Sequence, residues 1–192
     1  MFEVNNIFPS PVYSVFLEDS DLLNVYVKSH LYTLRERQHT GFDSPGADRR
    51  GTWISHRGLH EESTFKVLFE SVRMKLQGLA ETHEIGVNKP RCTAMWGDIT
   101  DRYGYHQSHG GEACKIKGIY FVQTPDNAGQ LFFHDPRVGN QKEGGLQEQA
   151  MFNMTEGQLL IFPSWLSYSL SANRSELNGD EGNRINVKFS FN

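Results

Sequence analysis

The sequence predicts a mainly β fold with α-helices on its N-terminal side: an antiparallel sandwich with helices packed on one sheet. Helical spacing of apolar residues is confined to the chain before Pro90. Beyond it come short aromatic and β-branched runs, divided by turn residues such as Pro125-Asp126-Asn127 and Glu156-Gly157. Helices followed by a run of strands point to that layered class.

The first helix is expected from about Ser20 to Arg37, with Leu23, Val27, Leu31 and Leu34 on one face. Ser20 or Asp19 can cap its exposed amides. The second is expected from about Ser63 to His83, where Phe65, Leu68, Phe69, Val72, Leu76 and Leu79 form a stripe that packs on a core. Seven strands follow: Arg91 to Thr100, Lys115 to Thr124, Gln130 to His134, Ala150 to Met154, Gln158 to Phe162, Trp165 to Leu170, and Arg184 to Asn192. Gly41 to Gly51, Val138 to Gly145 and Asn173 to Asn183 read as surface loops. Trp165 and Phe162 read as core, and Cys114 as a small buried residue.

The last strand is the most informative. Ile185, Val187, Phe189 and Phe191 alternate with Arg184, Asn186, Lys188 and Ser190. Period-two alternation puts the two sets on opposite faces. The apolar set suits contact with the helices. The polar set then faces either the inside of the sandwich, as a site, or solvent.

The chain has 192 residues, which suits one domain: a helical part, 1–89, and a β core, 90–192. A net charge of -4 excludes a strongly basic nucleic-acid binder. No apolar stretch approaches the roughly 18 residues of a membrane span. The N-terminus lacks a signal-peptide pattern. Two cysteines, Cys92 and Cys114, make neither a disulfide framework nor a four-cysteine zinc site. A soluble, cytoplasmic protein is expected. A last strand ending at Asn192 is compatible with an edge that pairs with a second copy.

Three segments carry a family resemblance: WGDITDRYGYHQSHGGEACKIKGIYFV (Trp96 to Val122), GQLFFHDPR (Gly129 to Arg137), and EGQLLIFPSWLSYSL with RINVKFSFN. With the N-terminal NIFPSPVYSVFL they cover nearly the whole chain. This resembles the 2-oxoglutarate and Fe(II)-dependent oxygenases that carry FPSWL-x-H and R-I-S-x-S-F-N segments. The resemblance implies a prolyl-hydroxylase-like double-stranded β-helix, a jelly roll with helices on its larger sheet. It also implies Fe(II) and 2-oxoglutarate as cofactors, and hydroxylation of an unspecified substrate. Many family members come from phages, so a virion component is a further expectation.

Enzymes of this kind hold iron with two histidines and a carboxylate or a similar triad. An arginine on the final strand grips the co-substrate's far carboxylate, which a planar guanidinium suits. Carried across, His109 falls on the first ligand, Gly111 on the second and Tyr168 on the distal histidine. Arg184 falls on the co-substrate arginine, and Tyr120 on a tyrosine near the co-substrate. Asn186 and Lys188 stand where the family has small hydroxyls and complete the expected cofactor-binding set. Gly111 and Tyr168 therefore depart from the ligand pattern and put metal and co-substrate in question.

Candidate substitute ligands are His106, His134 and Asp135. On a regular strand His106 and Glu112 point away from the face of His109, unless a bulge intervenes. A glycine at the carboxylate position has a precedent in halogenases, but those keep both histidines. HQSHGGE also has the residue types of a cupin-like metal site, at a spacing that does not share one strand face. Two classes stay open: an oxygenase with unusual ligands, and a non-catalytic jelly-roll module that binds a protein or small partner. If Lys188 faces inward, its ammonium stands in the region of a metal, with Tyr168, Glu112 or a bound acid as its partner.

Overall fold

A computed structural model describes residues 9–37, 51–83, 85–109, 113–137, 141–142, 146–147 and 149–192. For 108, 109, 141, 142, 146 and 147 only the backbone is described. The expected loop 41–50, Gly111 and Glu112 lie outside these residues, as does most of the loop after Val138.

Strands β1 (Tyr13–Phe16), β2 (Thr52–Ile54), β3 (Cys92–Thr100), β5 (Ile116–Gln123), β10 (Gln158–Pro163) and β12 (Arg184–Phe191) form one sheet, in the order β1-β10-β5-β12-β3-β2. All its pairings are antiparallel. A second sheet has the order β4-β11-β6-β9, from β4 (His106–His109), β6 (Leu131–His134), β9 (Gln149–Phe152) and β11 (Tyr168–Leu170). A small ladder pairs β7 (Gln141–Lys142) with β8 (Leu146–Gln147). This is the expected jelly-roll architecture.

Helices α1 (Ser20–Arg37) and α2 (Lys66–Thr82) cover the larger sheet. The bounds of α1 agree with its apolar spacing. Asp19 precedes it with φ 50°, and its carbonyl accepts from the Leu23 amide. Residues Ser63–Phe65, expected in α2, form a separate 3-10 turn before it. Leu23, Val27 and Leu31 of α1 join Leu68, Val72 and Leu76 of α2 in one core with Ile185, Val187, Phe189 and Phe191 of β12. At Gly97 of β3 the helix comes so close that any Cβ meets the Leu31 side chain. A second core lies between the sheets, from Ile119, Phe121, Leu160 and Phe162 on one side to Leu131, Phe133, Tyr168 and Leu170 on the other.

Several expectations need correction. The final strand is no edge: β12 pairs with β3 on one side and β5 on the other, so its backbone groups are taken. Trp165 is 52% exposed rather than core. It sits in the turn closed by the Leu166 amide on the Pro163 carbonyl, so the strand there begins only at Tyr168. Cys114 is half-buried rather than buried. Among the described residues, no helix is long and apolar enough to cross a membrane.

Candidate functional site

All eight residues of β12 are buried. Since Ile185, Val187, Phe189 and Phe191 meet the helices, Arg184, Asn186, Lys188 and Ser190 look into the sandwich. The polar face therefore takes the interior option, and solvent does not reach it.

Arg184 heads this row and is 0% exposed. Its Nη1 donates to the carbonyls of Ala128 (2.6 Å) and Ser171 (2.8 Å). Its Nε and Nη2 are buried and have no hydrogen-bond partner. Burial pushes its pKa down to about 10, an effect that the nearby Asp98 carboxylate opposes. Gly129 lets the guanidinium lie this close to the loop: a Cβ there would stand 2.9 Å from Arg184 Nη1. Ala128, Gly129, Ser171 and Ala172 also line a surface cleft of about 740 Å³. The two carbonyls that accept from Arg184 thus belong to residues that line this cleft.

Asn186 follows, with both side-chain amide atoms buried and unpartnered. Next is Lys188, whose Nζ forms an ion pair with Asp98 Oδ2, both side chains being 2% exposed. The Cα partner of Lys188 on β3 is Trp96, and that of Asn186 is Asp98, so the pair is diagonal across the two strands. Asp98 Oδ1 is buried without a partner. The Asp98 carboxylate thus pairs with Lys188 and also favours the charged form of Arg184.

The opposite wall carries Tyr168. Lys188 Nζ lies 5.7 Å and Lys117 Nζ 6.0 Å from its ring centroid, at the reach of cation–π attraction. His106 stacks on the same ring, centroids 5.5 Å apart and planes 21° apart. A register shift explains its inward position. His106 pairs with Leu170 and His109 with Tyr168, so β4 spends one residue more than β11. That bulge brings the backbones of both histidines opposite inward-facing residues.

The other candidates lie elsewhere. Tyr120 is on the helix face of β5, opposite Val187, and its hydroxyl donates to Asn24 Oδ1 of α1 at 2.6 Å. The sheet separates it from Arg184 because residues 119 and 121, not 120, face inward. His134 Nε2 is 2.9 Å from Ser169 Oγ. Ser169 pairs with Phe132, on the face away from Phe133 and Tyr168. Burial lowers the His134 pKa. Asp135 accepts from Arg137 Nη2 at 2.6 Å and Nε at 2.9 Å. Both line a surface cleft with Phe152 and Leu166, apart from Arg184.

Asp98 and Lys117 were not foreseen. The signal for Asp98 was present: Trp96, Asp98 and Thr100 alternate with Met95, Gly97 and Ile99, as the two sets do on β12.

A family profile described as "Putative 2OG-Fe(II) oxygenase" matches residues 94–190, just over half of the chain. The chain belongs to this oxygenase family. Among curated proteins none matches it in sequence. Solved structures share its fold at low identity. A prolyl-4-hydroxylase from Pseudomonas putida superposes with a TM-score of 0.62 at 11% identity, covering 95% of this chain and 92% of that one. HygX from Streptomyces hygroscopicus, solved with nickel, 2-oxoglutarate and hygromycin B, gives 0.63 at 14%, covering 95% and 82%. A viral collagen prolyl hydroxylase from Paramecium Bursaria Chlorella virus-1, in a 2-oxoglutarate complex, gives 0.57 at 9%, covering 94% of each chain.

The family implies 2-oxoglutarate and Fe(II), and the interior fits the two unequally. The unpartnered Arg184 and Asn186 donors fit a carboxylate. For iron, no group of three His, Cys, Asp or Glu side chains that could hold a metal occurs among the described residues. Among the described residues, the inward carboxylate Asp98 is engaged by Lys188.

Proposed function

We propose that the jelly-roll interior of this chain binds 2-oxoglutarate, or a small dicarboxylate much like it, with Arg184 as the anchor. One observation carries this reading: Arg184 is fully buried with Nε and Nη2 unpartnered, and Asn186, two residues along the same face, has its amide unpartnered too. Buried polar groups of this kind are nearly always satisfied, so a ligand that accepts from them is the physical expectation. The guanidinium presents a two-pronged donor edge of the shape a carboxylate takes. Arg184 binds and orients, Asn186 adds a donor, and the apolar wall of Ile119, Phe121 and Phe162 excludes water.

The second reading is oxygenation, in which dioxygen takes two electrons from 2-oxoglutarate, which leaves as succinate and CO2, and two from an unidentified substrate, which is hydroxylated, each product receiving one oxygen atom. The match of the family profile through β12 favours it. The described residues do not by themselves make up a ligand triad for iron.

Anaerobic titration with Fe(II) and 2-oxoglutarate separates the readings. A saturable visible band that vanishes in His109→Ala and in Arg184→Ala supports oxygenation. Acid binding seen by calorimetry without a band, and lost in Arg184→Ala, supports the binding site alone. Absence of any acid binding overturns both.

A further inference from the structure

We infer that Asn173 is a positioning residue for Arg184: its buried side chain ties down both the root and the tip of the guanidinium arm, and so presets the edge that takes the acid. The inference rests on the acid-binding reading above and deepens it.

At the tip, Arg184 Nη1 is held by two neutral carbonyls from separate loops, Ala128 before β6 and Ser171 after β11. The two loops are laced together. The Gln130 amide donates to Ser171 Oγ (2.8 Å), the Ser171 amide to the Gln130 carbonyl (3.0 Å), and the Arg174 amide to the Asn127 carbonyl (2.8 Å). A planar guanidinium fixed through Nη1 keeps its Nε–Nη2 edge in one orientation, and these are the two nitrogens with no hydrogen-bond partner.

At the root stands Asn173. It begins the stretch expected as a surface loop, yet its side chain is fully buried. Its Nδ2 donates to the Thr100 carbonyl (3.0 Å) and to the Gly182 carbonyl (2.8 Å). Thr100 is the Cα partner of Arg184 on β3, and Gly182 precedes Arg184 by two residues. Its Oδ1 accepts from the Ser175 amide (3.1 Å). On the main chain, the Asn173 amide donates to the Gly104 carbonyl, and its carbonyl accepts from the Tyr103 amide. The loop that offers the Ser171 carbonyl is thereby pinned to the strand pair from which Arg184 extends.

The residue type follows from this task. A short primary amide carries two donors and an acceptor on one planar group, and all three are used here. Aspartate has the same shape but sets a charged acceptor against two carbonyls. Alanine leaves both carbonyls and the Ser175 amide without this partner. Either change frees the spacing between Ser171 and the start of β12. Arg184 must then be ordered at the moment of binding, which costs affinity.

The experiment is calorimetric titration with 2-oxoglutarate in the presence of Mn(II), on the unaltered full chain, Asn173→Ala, Asn173→Asp and Tyr120→Phe. Tyr120→Phe loses a buried hydrogen bond on the other face of the larger sheet and controls for lost stability. The second readout is the arginine Nε–H spectrum of isotopically labelled, ligand-free and metal-free protein, with the Arg184 signal assigned by its loss in Arg184→Lys. The expected result is a fall of at least about tenfold in affinity in the Asn173 variants and a change of less than about twofold in Tyr120→Phe. The Arg184 signal should shift or broaden in the Asn173 variants alone. Melting curves report folding, and either Asn173 variant that folds decides the matter. Affinity within about threefold of the unaltered protein in a folded Asn173 variant overturns the inference and leaves the acid-binding reading intact. An equal fall in Tyr120→Phe, an unmoved Arg184 signal, or failure of both Asn173 variants to fold does the same, since each marks Asn173 as a residue of the fold alone. No 2-oxoglutarate binding to the unaltered protein overturns the acid-binding reading itself, and the inference with it.

Discussion

Lys188 and Asp98 form an ion pair in the interior of the sandwich, diagonal across β12 and β3, with each side chain almost fully buried. Removing two charges from water is expensive, and their mutual attraction offsets this only while both are present.

Lys188→Met alone should therefore destabilise the protein by about 3–5 kcal/mol, because it strands the Asp98 carboxylate. Adding Asp98→Asn should recover most of that loss. Urea unfolding of the four members of this cycle checks both statements. Equal stability of the single and double variants would show that the pair is not coupled.

Tyr120→Phe removes the hydrogen bond to Asn24, which ties β5 to α1. A loss of about 1–2 kcal/mol is expected in chemical denaturation. Acid affinity should stay unchanged, since the sheet lies between Tyr120 and Arg184. A matching fall in affinity would restore Tyr120 to the site.

Gly129→Ala combines two penalties. Gly129 has φ +90°, and a Cβ would meet the Ser171 and Ala172 carbonyls at 2.7 and 2.8 Å. Strain of about 1–3 kcal/mol is expected. The same substitution crowds Arg184 Nη1, so acid affinity should fall as well. Parallel melting and binding curves check this.

His134 links stability to pH. Burial lowers its pKa below the ordinary 6.5, so on acidification the unfolded chain takes up this proton before the folded one does. Stability from this group is present above about pH 6.5 and is lost as pH falls from there towards the folded pKa. The urea midpoint should decline across that window, and His134→Gln should flatten the decline. An unchanged slope would remove His134 from the linkage.

Much of this was legible in the sequence, for physical reasons that differ by element. The alternation along β12 predicted which face meets the helices, because a buried strand shows its pattern on both sides. The α1 stripe did the same. Strands β1, β2, β4, β7 and β8 were not anticipated. They are two to four residues long, and β4 reads His-Gln-Ser-His, with no apolar alternation to reveal it. The inward turn of His106 depends on a bulge against β11, which is a tertiary event with no local signature. Arg184, Asn186 and Lys188 come together as expected because they share one strand. Tyr120 does not join them, since it falls on the odd face of β5. Asp98 completes Lys188 from another strand, and only pairing register reveals such a partner.

The central claim is that Arg184 anchors a small diacid inside the jelly roll. A crystal structure of the protein grown with 2-oxoglutarate tests it most directly. The account predicts ligand density between the sheets, with a carboxylate within hydrogen-bond distance of Arg184 Nε or Nη2 and of Asn186 Nδ2. A fully occupied diacid elsewhere, or an interior closed by protein side chains around Arg184, would contradict it.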